Sequence, residues 1–150
     1  MKNNYRTFAA MIATSVVAMY AMTYLNNWAL EHVYWSETRA YMVIYMGAVM
    51  AVIMLMFMIR MYTNTLLNVV ILGVAAVAFS GSLWLVRSQQ TIDDLAWMKA
   101  MIPHHSIAIL TSRRAQISDP RVRKLADDII TAQLREIDEM KKLIDELEAN

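Results

Sequence analysis

Apolar residues fill the first 86 positions of the chain with few interruptions, and charged residues are concentrated after them. Three apolar stretches, 7–25, 40–59 and 66–86, contain no formal charge. Each has roughly the 20 residues that a helix needs to cross a bilayer. The pattern predicts three transmembrane helices, so that residues 1–87 form a membrane anchor and residues 88–150 form a separate charged domain. Of the 14 basic and 13 acidic side chains, six precede Arg87: Lys2, Arg6, Glu31, Glu37, Arg39 and Arg60.

The placement of basic residues predicts the orientation of this anchor. Lys2 and Arg6 precede the first stretch and Arg60 lies between the second and the third, whereas Arg39 and Arg87 flank the opposite side. Because basic residues concentrate on the cytoplasmic side, the N-terminus is predicted to be cytoplasmic and residues 88–150 periplasmic, at a bacterial inner membrane. The alternative is that the first stretch is a signal peptide, but it is longer than a usual h-region and no clear cleavage site follows it.

From Thr91 onward apolar residues recur with the period of a helix. Thr91 is a candidate N-cap, and Pro103 inside the run is expected to kink or restart the helix. A second start signal is Ser118-Asp119-Pro120, an N-cap followed by proline. The sequence therefore predicts an all-α protein in which the anchor is followed by an antiparallel helical hairpin. A turn centred near Ser118 would place His105 opposite 131–133.

Sulfur and imidazole ligands are concentrated within eight residues of the first predicted hairpin helix. Met98, Met101, His104 and His105 lie there, and Met140 is the natural addition from the second helix. Thioethers select Cu(I), and imidazole also suits copper. The predicted ligand is therefore copper, as Cu(I), in a chain without cysteine. The alternative for each methionine or histidine is ordinary packing in a helical core.

Polar residues are expected opposite this cluster. Gln133 and Glu136 fall close to Met140 on the helical wheel, and a polar cluster in an otherwise apolar seam calls for a partner or a ligand. A di-iron centre of the ferritin type needs several carboxylates, and Glu136 is the one obvious inward acid. The charges on the second helix have mixed signs, which argues against nucleic-acid binding.

These same positions carry a family resemblance over about 93–147. The chain resembles domain of unknown function family 305 at 101–105 (Met-Ile-Pro-His-His), Ala108-Ile109, Val122, Leu125-Ala126, Ile129-Ile130, Gln133, Glu136-Ile137 and Met140. The resemblance implies a ferritin-like helical fold, periplasmic copper binding and copper tolerance, with Met101, His104, His105 and Met140 as ligands and Gln133 and Glu136 in support. The chain has Thr111 where many members have a methionine, which leaves the metal stoichiometry open.

The second apolar stretch contains regularly spaced methionines, and the predicted hairpin is short. Met42, Met46, Met50, Met54 and Met58 form a ladder that is either a Cu(I) track or, as we favour, an apolar packing stripe, since polar groups are missing from the middle of this stretch. A short hairpin buries little core, so self-association is expected, with two hairpins forming a four-helix bundle. A copper-handling partner protein is a further expected contact.

The leading hypothesis is a membrane-anchored copper-binding protein that is not an enzyme. The alternative is a metal-free structural or assembly module, and a small metal-dependent oxidase is a distant third.

Overall fold

A computed structural model describes residues 2–149, with side chains from residue 4 onward. Its described part contains helices and no strands: α1 Lys2–Met22, α2 Glu37–Phe57, α3 Thr65–Ser88, α4 Asp94–Arg114 and α5 Pro120–Glu148, with a short 3₁₀ helix at Leu30–His32 between α1 and α2. The prediction of an all-α protein is confirmed. Residues 1 and 150, the ends of the two predicted domains, lie outside the described part, as does the side chain of Lys2.

Two helices of the described chain, not three, are long and apolar enough to cross a membrane. They are α2, with a mean hydropathy of 2.2, and α3, with 2.3. The prediction of a third such helix over 7–25 is wrong on this measure. Helix α1 ends at Met22, and its 21 residues include Lys2, Asn3, Asn4 and Arg6, which lower its hydropathy.

Helix α1 lies against both apolar helices. The Tyr5 hydroxyl donates to Asn68 Oδ1 at 2.9 Å and accepts from the Asn64 N–H at 3.1 Å. At the other end of α1, Arg39 donates to the Thr23 carbonyl. Between these ends a Cβ on Gly47 would lie 2.4 Å from Val16 Cγ2, so α1 and α2 approach closely there and a larger residue would force Val16 to shift. Helix α1 therefore runs along α2 from one end to the other.

The methionine ladder of α2 is divided between two environments. Met42 and Met46 are exposed, whereas Met54 and Met58 pack against the cluster of Phe8, Ala51, Leu55 and Tyr62. Met54 and Met58 thus contribute to ordinary apolar packing.

The chain divides into two compact units. Unit 1 contains residues 2–23 and Thr38–Thr91, and unit 2 contains Tyr24–Glu37 and residues 92–149. The connection between α1 and α2, which the sequence analysis left with the anchor, therefore packs with α4 and α5.

Local sequence explains where α4 and α5 begin. The Asp93 carboxylate accepts from the Ala96 N–H, so the N-cap of α4 is Asp93 and not the predicted Thr91. The Asp119 carboxylate caps α5, with Pro120 at its first position, as the start signal predicts. Helix α4 continues through Pro103 without a restart.

Helices α4 and α5 pack against each other along their length. Lys99 pairs with Glu148, His105 lies beside Glu136, and Arg123 donates to the Ser112 carbonyl at 3.0 Å. The two helices therefore run antiparallel, because residues later in α4 contact residues earlier in α5. The core between them consists of the buried residues Met98, Ile102, Ile109, Ile137, Met140 and Ile144.

Candidate functional site

Three of the predicted sulfur ligands lie in one cluster. Met98 and Met140 are 5% and 6% exposed and belong to the core between α4 and α5, and Met101 packs against that core from α4. Their positions follow from helical spacing: Met98 and Met101 are three residues apart on α4, and α5 supplies Met140 across the interface. Because the same cluster contains four isoleucines, it is also a regular apolar core.

His105 lies next to this cluster and has an unusual environment. Its side chain is 13% exposed, and its Nδ1 lies 3.4 Å from Glu136 Oε2. That distance is within ion-pair range, yet the buried Nδ1 makes no hydrogen bond. His105 is one helical turn beyond Met101, so the two side chains are neighbours on one face of α4. The imidazole therefore has a free ring nitrogen in a half-buried site.

The other predicted site residues are placed differently. His104 is exposed, and its ring centroid is 6.3 Å from that of His105, with the planes inclined at 52°. Gln133 is half-buried on α5. The Thr111 hydroxyl donates to the carbonyls of Ile107 and Ala108, which turns it back onto its own helix. The structure thus places the three methionines in one cluster and His105 beside Glu136, and leaves His104 facing outward.

The heights of residues on the two helices differ from the prediction by about one helical turn. His105 was expected opposite 131–133 and lies beside Glu136. Met98 and Met140 nevertheless share the core, as their predicted levels imply.

No three His, Cys, Asp or Glu side chains form a potential metal site within the part of the chain that the structure describes. A metal held by His105 and Glu136 would need a further ligand, for which the methionines of the adjoining core are candidates.

The segment Tyr24–Glu37, here called the strap, holds α4 and α5 from one side. The Ser106 hydroxyl accepts the Trp28 N–H at 2.7 Å and lies 2.9 Å from His32 Nδ1. His32 Nε2 lies 3.5 Å from Glu31, which also pairs with Lys141 of α5 at 3.3 Å. The Arg113 guanidinium lies 4.6 Å from the Trp28 ring centroid. The strap therefore contacts both helices through polar groups.

Ser106, His32 and Glu31 are the residue types of a hydrolase triad, but the two ring nitrogens of His32 are exchanged relative to a triad and the hydroxyl is not accessible. Ser106 is fully buried and His32 is 4% exposed, and the hydroxyl oxygen already accepts from the backbone of Trp28. A substrate carbonyl cannot reach this oxygen, so the arrangement is structural. This arrangement was not predicted from the sequence. The available signal was the third histidine of the chain, which lies in a tryptophan-containing loop between two apolar stretches.

In unit 2 the pKa values of the buried His32 and the half-buried His105 are lowered, which favours the neutral imidazole. Burial lowers the pKa of His32, as does Lys141, against the opposing effects of Glu31 and Asp138. Burial likewise lowers the pKa of His105, with Glu136 opposing and His104 adding to the decrease. Neutral imidazole is the form that binds metals, so burial of His105 favours the ligand form.

These shifts predict that unit 2 loses stability in mild acid. The folded pKa values lie below the unfolded value of about 6.5, so the unfolded chain binds more protons as the pH falls through that value. Stability is therefore complete above about pH 6.5 and declines below it. The measurement is the urea midpoint of the full chain in detergent between pH 7.5 and 5, followed by tryptophan fluorescence. The His32→Gln/His105→Gln variant should have a flatter profile over this range, and an equally steep one would contradict the assignment.

The fold and the site define an all-α protein that contains two candidate membrane helices and a packed helix pair bearing a Met/His cluster. Residues 86–149 match the family model described as "Domain of unknown function (DUF305)". A relative is the "Uncharacterized protein L153" of Acanthamoeba polyphaga mimivirus, which is 34% identical over 143 residues, or 91% of this chain and 90% of the relative. The chain therefore belongs to the DUF305 family.

The comparisons also bear on the architecture and on the class of activity. Because the similarity to the viral relative covers nine-tenths of both chains, it includes the apolar helices as well as α4 and α5. No solved structure matches this chain. Neither the family model nor the relative indicates an enzyme family.

Proposed function

We propose that this protein is a membrane-anchored copper-binding protein whose α4 and α5 bind Cu(I) and sequester it or pass it to another copper-handling protein. The observation that carries the proposal is the cluster of Met98, Met101 and Met140, with His105 one helical turn beyond Met101 on α4 and beside Glu136. A set of thioethers with one or two imidazoles suits Cu(I) better than other biological metals.

The surroundings of the cluster support a metal site rather than simple packing. His105 Nδ1 is buried without a hydrogen-bond partner, and such orphaned polar atoms are uncommon in folded proteins. Glu136 Oε2, 3.4 Å from this Nδ1, would orient the imidazole as carboxylates do in other metal sites, which leaves Nε2 as the nitrogen that would bind the metal. His104 would become a ligand by rotation of its exposed side chain, and Gln133 is a supporting position on α5.

The anchor is proposed to place this site outside the cytoplasm. Contact between Tyr5 and Asn64 places the N-terminal end of α1, with Arg6, at the same end of unit 1 as Arg60. Arg39 and Arg87 lie at the other end. With Lys2 the first end has three basic residues against two, so the orientation rule favours that end for the cytoplasm. Residues that follow α3 then lie on the non-cytoplasmic side, periplasmic in a bacterium, with the bilayer around α2 and α3.

Copper binding is tested with the full chain in detergent, titrated with Cu(I) against a chromophoric chelator. Binding by the wild type is expected, and the His104→Ala/His105→Ala variant should lose at least about tenfold in affinity, since even outer-sphere partners of metal ligands contribute 10–100-fold. The single variants His104→Ala and His105→Ala show which histidine is responsible, and His105→Ala is expected to cause the larger part of the loss in Cu(I) affinity. A wild-type chain that does not compete with the chelator would overturn the proposal.

A metal-free assembly module is the second candidate function. It is favoured by the four isoleucines around Met98 and Met140 and by the polar contacts of the strap. In that case the histidine variants would alter assembly or stability, and copper binding would be equally weak in all forms.

Self-association and a ferritin-like arrangement belong to the same proposal. Helices α4 and α5 would form one half of a four-helix bundle, and a second chain would supply the other half.

A further inference from the structure

The strap has polar side chains turned inward and large apolar side chains turned outward. His32 and Ser36 are buried, whereas Leu25, Leu30 and Trp35 are 81%, 90% and 63% exposed. A loop that faces water has the reverse arrangement, because polar groups lose hydration when they are buried and apolar groups gain by leaving water. We call the three exposed residues the outer side of the strap.

The short 3₁₀ helix in the middle of the strap shows how the two sides are separated. Leu30 and His32 lie about 120° apart around a helix with three residues per turn. His32 Nδ1 lies 2.9 Å from the buried Ser106 hydroxyl, so Leu30 points away from α4. Glu31, between them, pairs with Lys141 of α5 at 3.3 Å. The polar groups of this turn are therefore directed to the protein, and its leucine is not.

The strap leads directly into an apolar helix. Its last residue, Glu37, is the first residue of α2, which is long and apolar enough to cross a membrane. The strap is also rich in the aromatic residues that concentrate where a bilayer meets water, namely Tyr24, Trp28, Tyr34 and Trp35. The Arg113 guanidinium lies 4.6 Å from the Trp28 ring centroid, so a cation that suits lipid phosphates lies beside one of these rings.

We infer that the outer side of the strap inserts into the lipid surface beside the first turn of α2. Leu25, Leu30 and Trp35 then lie among the lipid chains just below the headgroups, as the apolar side of an interfacial segment does. His32 and Glu31 stay on the protein side. A lipid surface is the partner that fits, because the chain connection to α2 and the aromatic residues both place the strap at a bilayer. Insertion rests on the proposed membrane anchor, and it does not require copper.

Insertion would keep α4 and α5 beside the membrane. The strap contacts α4 at Ser106 and α5 at Lys141, so both helices and the cluster of methionines between them would stay close to the lipid surface. In detergent, α2 holds the strap next to the micelle whether α4 and α5 are folded or not. Contact between Leu30 and detergent therefore adds little to the free energy of unfolding of unit 2.

The absence of cysteine from the sequence allows a fluorescent label to be placed at one position. Full-length Leu30→Cys, labelled with an environment-sensitive fluorophore, is reconstituted without copper into phosphatidylcholine vesicles with nitroxide groups on the acyl chains near the headgroups. The label is expected to lose most of the emission that it has in vesicles without nitroxide. Leu125→Cys is the matched control and should keep its emission. Leu125 is also an exposed leucine of unit 2, and it lies about 160° from Lys141 around α5 at 100° per residue.

A third label separates insertion of the strap from the membrane anchor. Val77 is 74% exposed in the middle of α3, so a label on Val77→Cys should be quenched by nitroxide groups deep in the acyl chains. Quenching at Val77 without quenching at Leu30 would overturn the insertion and leave the anchor intact. Protection of the Leu30 label from a water-soluble quencher, without quenching by lipid nitroxide, would also overturn it, because a protein then covers the strap. If neither position is quenched by lipid, the anchor fails and the insertion with it.

Discussion

Replacement of Met98, Met101 and Met140 by leucine is expected to lower the Cu(I) affinity of the full chain by about 100-fold or more. The estimate follows because outer-sphere partners alone contribute 10–100-fold and these substitutions remove the thioethers themselves. Leucine has a similar volume to methionine, and such exchanges usually cost less than about 1.5 kcal/mol each. The core of Met98 and Met140 should therefore keep its packing while losing its sulfur. The measurement is chelator competition, with the urea midpoint recorded on the same samples.

A matched variant replaces three exposed methionines of unit 1, Met11, Met42 and Met56, by leucine. It changes the same number of sulfur atoms and should bind Cu(I) like the wild type. If both triple variants bind equally well, the methionines of α4 and α5 are packing residues and the assignment of the ligands is wrong.

Ile109→Ala is expected to destabilise unit 2 by about 2–5 kcal/mol, the range for truncation of a large buried aliphatic side chain. Ile109 is fully buried between α4 and α5, so the cavity cannot be filled by solvent-exposed neighbours. The measurement is urea unfolding followed by tryptophan fluorescence, which is suitable because Trp28, Trp35 and Trp97 lie in unit 2 and Trp84 alone lies in unit 1.

Leu30→Ala provides the control, because this aliphatic side chain of the strap is 90% exposed. Its free energy of unfolding should change by less than about 0.5 kcal/mol. Equal effects of the two substitutions would mean that α4 and α5 do not form the core described above.

Local patterns predicted much of unit 2. The proline after Asp119 and the apolar period of 3.6 residues indicate α5, and the spacing of Met98, Met101 and His105 indicates that they share a face of α4. These features depend on neighbours within one or two turns, so sequence alone reveals them. The N-cap at Asp93 was missed because Thr91 and Asp93 are both good caps, and only the start of the helix distinguishes them.

Long-range contacts could not be predicted in the same way. Trp28 of the strap donates to Ser106, which lies 78 positions later in the chain. No periodic pattern connects these two positions. His32 was therefore overlooked, although it is the most deeply buried histidine. The first apolar stretch was wrongly predicted to span the membrane for a different reason. It was taken as 7–25, whereas the helix begins at Lys2, so that it includes Lys2 and Arg6, and ends at Met22 before the strap begins at Tyr24.

X-ray absorption at the copper edge tests the central claim most directly. The sample is the full chain loaded with one equivalent of Cu(I), compared with the Met98→Leu/Met101→Leu/Met140→Leu variant. Sulfur and nitrogen neighbours are expected around copper in the wild type, and the sulfur neighbours should be lost in the variant. A copper ion with nitrogen and oxygen neighbours alone in the wild type would contradict a thioether site between α4 and α5.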